Sequence, residues 1–237
     1  MSNSGAPCPR GDEARHRSLL LTLVNSVDTE DADLKRFFRE LEKAGKGEVE
    51  EGVWQAAKKE LLEELSKQPA PVFEPGSEVS VQEDVLRGLR PKEMLKLVFN
   101  AGSPGDIEVL VRPSNRQELA FKLKTSERPF ALIKIGDVSG CLKDELAGYE
   151  VNERFEDESY FERLNAPDSD VNILMGSRSF YEGWDSNRPN VANFINIGVG
   201  TDARKFILQS VGRGVRIEPV GYRSSLVRSS LIRGRRR

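Results

Sequence analysis

Two arginines near the end of the chain, Arg213 and Arg216, stand three residues apart in the run Gln209-Ser-Val-Gly212-Arg213-Gly214-Val-Arg216. Arginine keeps its charge and presents a fork of donors that fits phosphate oxygens. Flanking glycines let the backbone bend and approach a partner closely. A pair set this way can neutralise charge developing on a transferring γ-phosphoryl group. A Gly-Arg-Gly tripeptide is common, however, and two surface arginines on a frayed helix end are the plainer reading of these residues alone.

A second stretch, Ser177-Arg178-Ser-Phe-Tyr-Glu-Gly183-Trp184-Asp185-Ser-Asn-Arg-Pro189, directly follows an apolar run at 171–175. In open parallel sheets ligands gather outside the carboxyl ends of the strands. Ser177 and Ser179 are able to hydrogen-bond a nucleic-acid phosphate there. Asp185 can accept from a ribose hydroxyl or hold an arginine. Gly183 permits a sharp turn, and Trp184 suits packing better than base stacking.

Stepping outward, residues 18–27 (SLLLTLVNSV) read as a buried strand. Asp31 can cap a helix in which Leu34, Phe37, Phe38 and Leu41 recur at helical spacing. Residues 53–65 read as a second, acidic helix. The stretch 68–80 holds three prolines and one glycine and reads as a linker or long loop. A short helix is expected over 91–100. Strands are expected at 107–112, 118–124, 131–135, 171–175 and 192–199, with helices at 138–146 and 203–211, the last capped by Asp202. This alternation predicts an α/β parallel sheet flanked by helices. Residues 66–128 fit it poorly and read as a mixed α+β insertion. Residues 1–17 read as a disordered start.

Taken together, the two opening segments resemble the motor motifs of superfamily 2 helicases. Gln209-x-x-Gly212-Arg213-x-x-Arg216 matches the sixth motif position by position, and 177–185 is similar to the fifth. Within that group, ILMGSRSFYEGWDSNRPNVANFINIGVGTDARKFILQSVGRGVRIEP resembles the restriction (helicase–nuclease) subunit of type III restriction–modification enzymes. The resemblance extends upstream through TLVNSVDTEDADLKRFFRELEKAGKGE, LKLVFNAGSPGDIEVL, QELAFKLKTSERPFALIKIGD and ERFEDESYFERLN, so it covers roughly 20–219.

The resemblance implies that 18–219 is the second RecA-like domain of an ATP-driven translocase on double-stranded DNA. Arg216 would be the arginine finger reaching ATP and Mg²⁺ across a cleft between two RecA-like domains. Arg213 would contact the γ-phosphate or couple it to the DNA site. Gln209 and Gly212 would hold the nucleotide-side geometry, and Gly183 and Asp185 would link nucleotide state to DNA grip. Ser177 and Arg178 would touch the DNA backbone, and Asn25 or Ser26 would meet a DNA phosphate. The implied partner is the modification (methyltransferase) subunit, which reads the recognition sequence in that family.

Other features bound this expectation. A phosphate-cradling loop G-x-x-x-x-G-K-[ST] is expected of a complete motor, and Gly45-Lys46-Gly47 lacks the hydroxyl residue after lysine. Asp12-Glu13-Ala14-Arg15 has the letters of an acidic box but no strand before it. Asp106, Glu118 and Lys122 imitate a nuclease site only loosely. The chain therefore reads as the middle piece of a larger subunit, inactive by itself. Formal net charge is −2, Cys8, Cys141 and His16 give no metal spacing, and no apolar run is long enough for a membrane span, so a cytoplasmic protein is expected. After Glu218 only cations carry charge, from Arg223 to Arg237; that tail reads as disordered, with phosphate binding by charge as the alternative.

Overall fold

The computed structural model describes residues 19–24, 32–67, 72–74, 77–81, 83–112, 114, 117–134, 146, 148–153, 158–166, 168–177, 186, 188–214 and 232–236. The main sheet contains β1 (Leu19–Val24), β4 (Ile107–Val111), β5 (Glu118–Leu123), β6 (Ala131–Lys134), β7 (Glu150–Glu153), β8 (Ile173–Ser177) and β9 (Pro189–Ile195). Their order across the sheet is β7-β4-β5-β6-β8-β1-β9. Helices α1 (Ala32–Gly45), α2 (Glu51–Lys67), α3 (Glu83–Gly88), α4 (Pro91–Leu97) and α5 (Thr201–Gly214) accompany it. The protein is thus α/β, with a seven-stranded mixed sheet flanked by helices.

Strand polarity departs from the all-parallel expectation at one place. β5 is antiparallel to both β4 and β6, whereas every other described pairing in this sheet is parallel. Six strands therefore share one direction and end at one edge. β4, β5 and β6 form a meander, which short connections allow only between antiparallel neighbours. Residues 66–128 are consequently not set apart from the sheet, since β4 and β5 are built into it.

Alternation along the strands divides the core between two faces. On the first, Ile107, Val109, Leu119, Phe121, Leu123, Ile133, Ile173 and Met175 pack with Leu34 and Phe38 of α1 and Leu95 of α4. The i, i+4 spacing of Leu34 and Phe38 is what lays α1 on the sheet. On the second, Leu19, Leu21, Leu23, Leu132 and Leu174 meet Ala203 and Phe206 of α5 and Leu164 of a run of turns at 158–166. Strands β1 and β8 are buried on both faces, which explains their nearly unbroken apolar runs.

Close approach explains one glycine. A Cβ on Gly45 would lie 2.9 Å from the Leu123 side chain, so the end of α1 touches the end of β5 only without one. α4 opens with Pro91 at its first turn, where the missing N–H costs nothing.

The proline-rich stretch read as a loop holds β2 (Val72–Glu74) and β3 (Ser77–Val81), which pair antiparallel. Within the basic tail, β10 (Ile232–Arg236) pairs antiparallel with β3, giving a small sheet of order β10-β3-β2. Composition predicted a solvated tail; backbone pairing of these five residues does not depend on side-chain polarity. The expected helix at 138–146 and the start at 1–17 lie outside the described residues, apart from buried Leu146.

Candidate phosphate and nucleic-acid edge

β1 and β8 are parallel neighbours, and their last residues, Val24 and Ser177, are register partners. The two strands therefore end side by side at one edge of the sheet. β9 flanks β1 on its other side and ends level with it, Val24 opposite Ile195. Three adjacent carboxyl ends thus define one edge, the position where α/β sheets receive ligands.

Ser177 is the last residue of β8, not the first of a loop. It is 8% exposed and already engaged within the chain. The strand lies two residues later than apolar content suggested, because Gly176 and Ser177 extend the pairing past Met175. Asn25, Ser26, Arg178, Gly183, Asp185 and Arg216 lie outside the described residues.

From Ile195 the chain turns through Asn196, Gly198 and Gly200, with φ of 49°, 85° and 100°, into α5. These left-handed values favour glycine and asparagine. Ala203, Phe206 and Ser210 are buried at positions i, i+3 and i+7, so α5 lies along the sheet for most of its length. A 14-residue helix is about 21 Å long. Gln209, exposed, and the backbone of Gly212 and Arg213 belong to the last part of α5, far from its start at the carboxyl edge. The structure therefore ends β1 and β8 at one edge and holds Gln209 and the backbone through Arg213 at the other end of α5.

Composition gave no role to Arg188, which proves structural. Its guanidinium donates to the carbonyls of Leu164 and Val171, the latter at 2.6 Å, and to Ser169 Oγ at 3.0 Å. Ser186 Oγ donates to Asn165 Oδ1 at 2.5 Å and accepts from the Arg188 N–H at 3.2 Å. These bonds fix the chain just before β9. An arginine between polar residues and a proline reads as surface, so no local sequence signal distinguishes it.

The loose nuclease imitation comes apart in three dimensions. Glu118 is fully buried and accepts from Ser159 Oγ at 2.7 Å and from the Tyr160 N–H at 3.0 Å. Lys122 pairs with Glu108 at 3.3 Å, and Asp106 lies 3.5 Å from Lys46. Each of the three serves a separate partner. Lys46, in the rejected Gly-Lys-Gly run, also holds Glu42 at 2.7 Å, and this bond, with Asp106 adding to it, raises its pKa. Among the described residues no group of three His, Cys, Asp or Glu side chains is placed to hold a metal ion, and no helix is long and apolar enough to cross a membrane.

The chain matches no family model, no curated protein and no solved structure.

Proposed function

We propose that this chain is the second RecA-like domain of an ATP-driven translocase on double-stranded DNA, of the kind found in the restriction subunit of type III restriction–modification enzymes. The observation that carries the proposal is the Val24–Ser177 register pair. It ends β1 and β8 level at the carboxyl edge, and Asn25, Ser26 and Arg178, which the resemblance assigns to the DNA backbone, are the residues that follow these two strands in sequence.

The rest of the reading follows from that edge. In it, Arg178, with Asn25 or Ser26, grips phosphates, while Ser177 ends β8. Gly183 and Asp185, which lie between β8 and β9 in sequence, would transmit movement across the sheet. Gln209 is exposed while the opposite side of α5 is packed on the core, which suits a group that must be met from outside. Arg213 and Arg216 would then face ATP and Mg²⁺ held by a phosphate-binding domain, and the nucleotide would supply the free energy for movement. The modification subunit would supply sequence recognition.

DNA binding and ATP turnover by the purified chain test this. The expected outcome is duplex binding that Arg178→Ala weakens, with no turnover by the chain alone. DNA-stimulated hydrolysis by this chain alone, abolished by Arg216→Ala, would overturn the reading, because one domain would then contain the whole ATP site.

A further inference from the structure

α2 is the longest described helix, yet none of its residues whose side chains are described is buried. What it rests on is narrow: Trp54, Lys58 and Leu62, four residues apart, are its half-buried stripe beside α3 and the connection to α4. The attachment is polar. Trp54 Nε1 donates to the Leu89 carbonyl at 3.2 Å, and Lys58 Nζ donates to the carbonyls of Arg87 at 2.5 Å and Leu89 at 3.0 Å. Beside α2 lies an open groove of about 650 Å³. The groove continues along α2 past Gln55 and Lys58 to Ser66.

The groove is basic although the chain is not. Lys59, Arg87, Arg90 and Lys92 line it beside Lys58. Its acids are Glu51 and Glu63, whereas Glu60 and Glu64 of the same helix do not line it. Lys58 is held by carbonyls, and Lys59 lies 3.8 Å from Glu63. Arg90 and Lys92 are exposed and form no ion pair among the described residues. Their charges are therefore available to an incoming anion.

We propose that this groove is a second nucleic-acid contact, which holds the phosphate backbone of one strand. Charge complementarity decides the occupant, since a repeating anion suits a linear groove with cations on its walls. The length also agrees. α2 spans about 25 Å, and at ~3.4 Å of rise per nucleotide that accommodates roughly seven nucleotides. Gly47 and Pro104 line the groove near the beginning of β4. It is therefore at the amino edge of the sheet, opposite the carboxyl edge where β1 and β8 end. The choice of DNA as ligand rests on the proposed function; the groove geometry does not.

The test measures binding of the full chain to labelled duplex and single-stranded DNA across a salt series, with a polyglutamate peptide as a second probe. Arg90→Ala combined with Lys92→Ala is compared with Lys43→Ala, an exposed α1 lysine outside the groove, after thermal melts establish that each variant folds. The expected result is about a tenfold loss of affinity near 0.1 M salt, with a log–log salt slope shallower by about 1.8 for two lost phosphate contacts. An unchanged slope, or an equal loss in Lys43→Ala, overturns the proposal. So does polyglutamate binding that depends on Arg90 and Lys92 when DNA binding does not, because the occupant would then be an acidic protein segment. Loss in Arg178→Ala with no change in the groove variant overturns the groove and leaves the carboxyl edge standing. The reverse result supports the groove and overturns the edge.

Discussion

On the face of the sheet covered by α1 and α4, Phe121 stacks on Phe38 with centroids 6.3 Å apart, and Phe99 meets Phe130 at 4.6 Å. The face covered by α5 and the 158–166 turns is built differently. Between its leucines it holds Glu118 and the Lys122–Glu108 pair, whose carboxylate also accepts from Asn152 Nδ2 at 2.8 Å. Lys134, the cross-strand partner of Glu118, places its ammonium 5.7 Å from the centre of the Phe161 ring. The difference teaches how each face selects its cover. Apolar packing fits a helix to a surface by shape, and many side chains share the task. A buried carboxylate instead specifies particular donors, here the Ser159 hydroxyl and the Tyr160 N–H, and so fixes where an irregular segment must sit.

The largest expected effect tests the packed face. Phe121→Ala should cost about 3–5 kcal/mol, since the ring is fully enclosed by strands and α1 that cannot collapse into the space. Urea denaturation reads this as a lower midpoint. A loss below about 1 kcal/mol would show that the face relaxes around the cavity and would break the contrast.

Glu118→Ala should cost less, about 1–3 kcal/mol, the penalty for leaving the Ser159 and Tyr160 donors without their acceptor. Its signature is local. Amide exchange should accelerate across 159–166 while Leu119 and Phe121 remain protected. Glu118→Gln keeps an acceptor and should restore most of the protection. Uniform loss of protection in Glu118→Ala would mean that the carboxylate supports the whole sheet rather than one segment.

These two residues also show what could be read before the fold. The Leu119, Phe121, Leu123 alternation announces a strand with one apolar face, whereas β1 and β8 were legible from apolar runs that suit strands buried on both faces. Glu118 was not, because a glutamate at the start of a strand is indistinguishable from a solvated one until its partner, 41 residues away, is placed. Reversal of β5 was hidden too, since alternation carries no direction. At the candidate site, types and spacing pointed to Ser177 and Gln209. The distance between them was not legible, because it depends on α5 lying flat, which Ala203, Phe206 and Ser210 decide only once the sheet exists.

A smaller effect appears only in alkali. Tyr149 packs beside the first face, and burial, with a lesser contribution from the Glu42 charge, pushes its pKa up to about 12. The unfolded chain ionises this phenol near its ordinary value of about 10. The stabilisation is therefore complete below that pH and declines as pH rises towards 12. Absorbance of tyrosinate should show one late-titrating residue, absent in Tyr149→Phe. Ionisation at the ordinary pH would place Tyr149 in water and trim the packed face to the strands themselves.

The smallest expected effect concerns Thr22, the polar residue set between Leu20 and Val24 on the packed face. It is fully buried in the middle of β1, and its Oγ1 has no hydrogen-bond partner among the described residues. Leaving a buried hydroxyl unpaired costs free energy that a methyl group of similar size does not. Thr22→Val should therefore raise stability by about 1 kcal/mol and move the denaturation midpoint up without altering its slope. Thr22 is opposite Met175 on β8 and Asn193 on β9, two residues before the Val24–Ser177 pair at which the candidate edge begins. A valine variant that is less stable would show that the hydroxyl is satisfied within the fold. A variant that is more stable but binds DNA less well would instead tie this unpaired hydroxyl to the edge. The polar exception on the apolar face would then be a part of the site rather than a flaw in the packing.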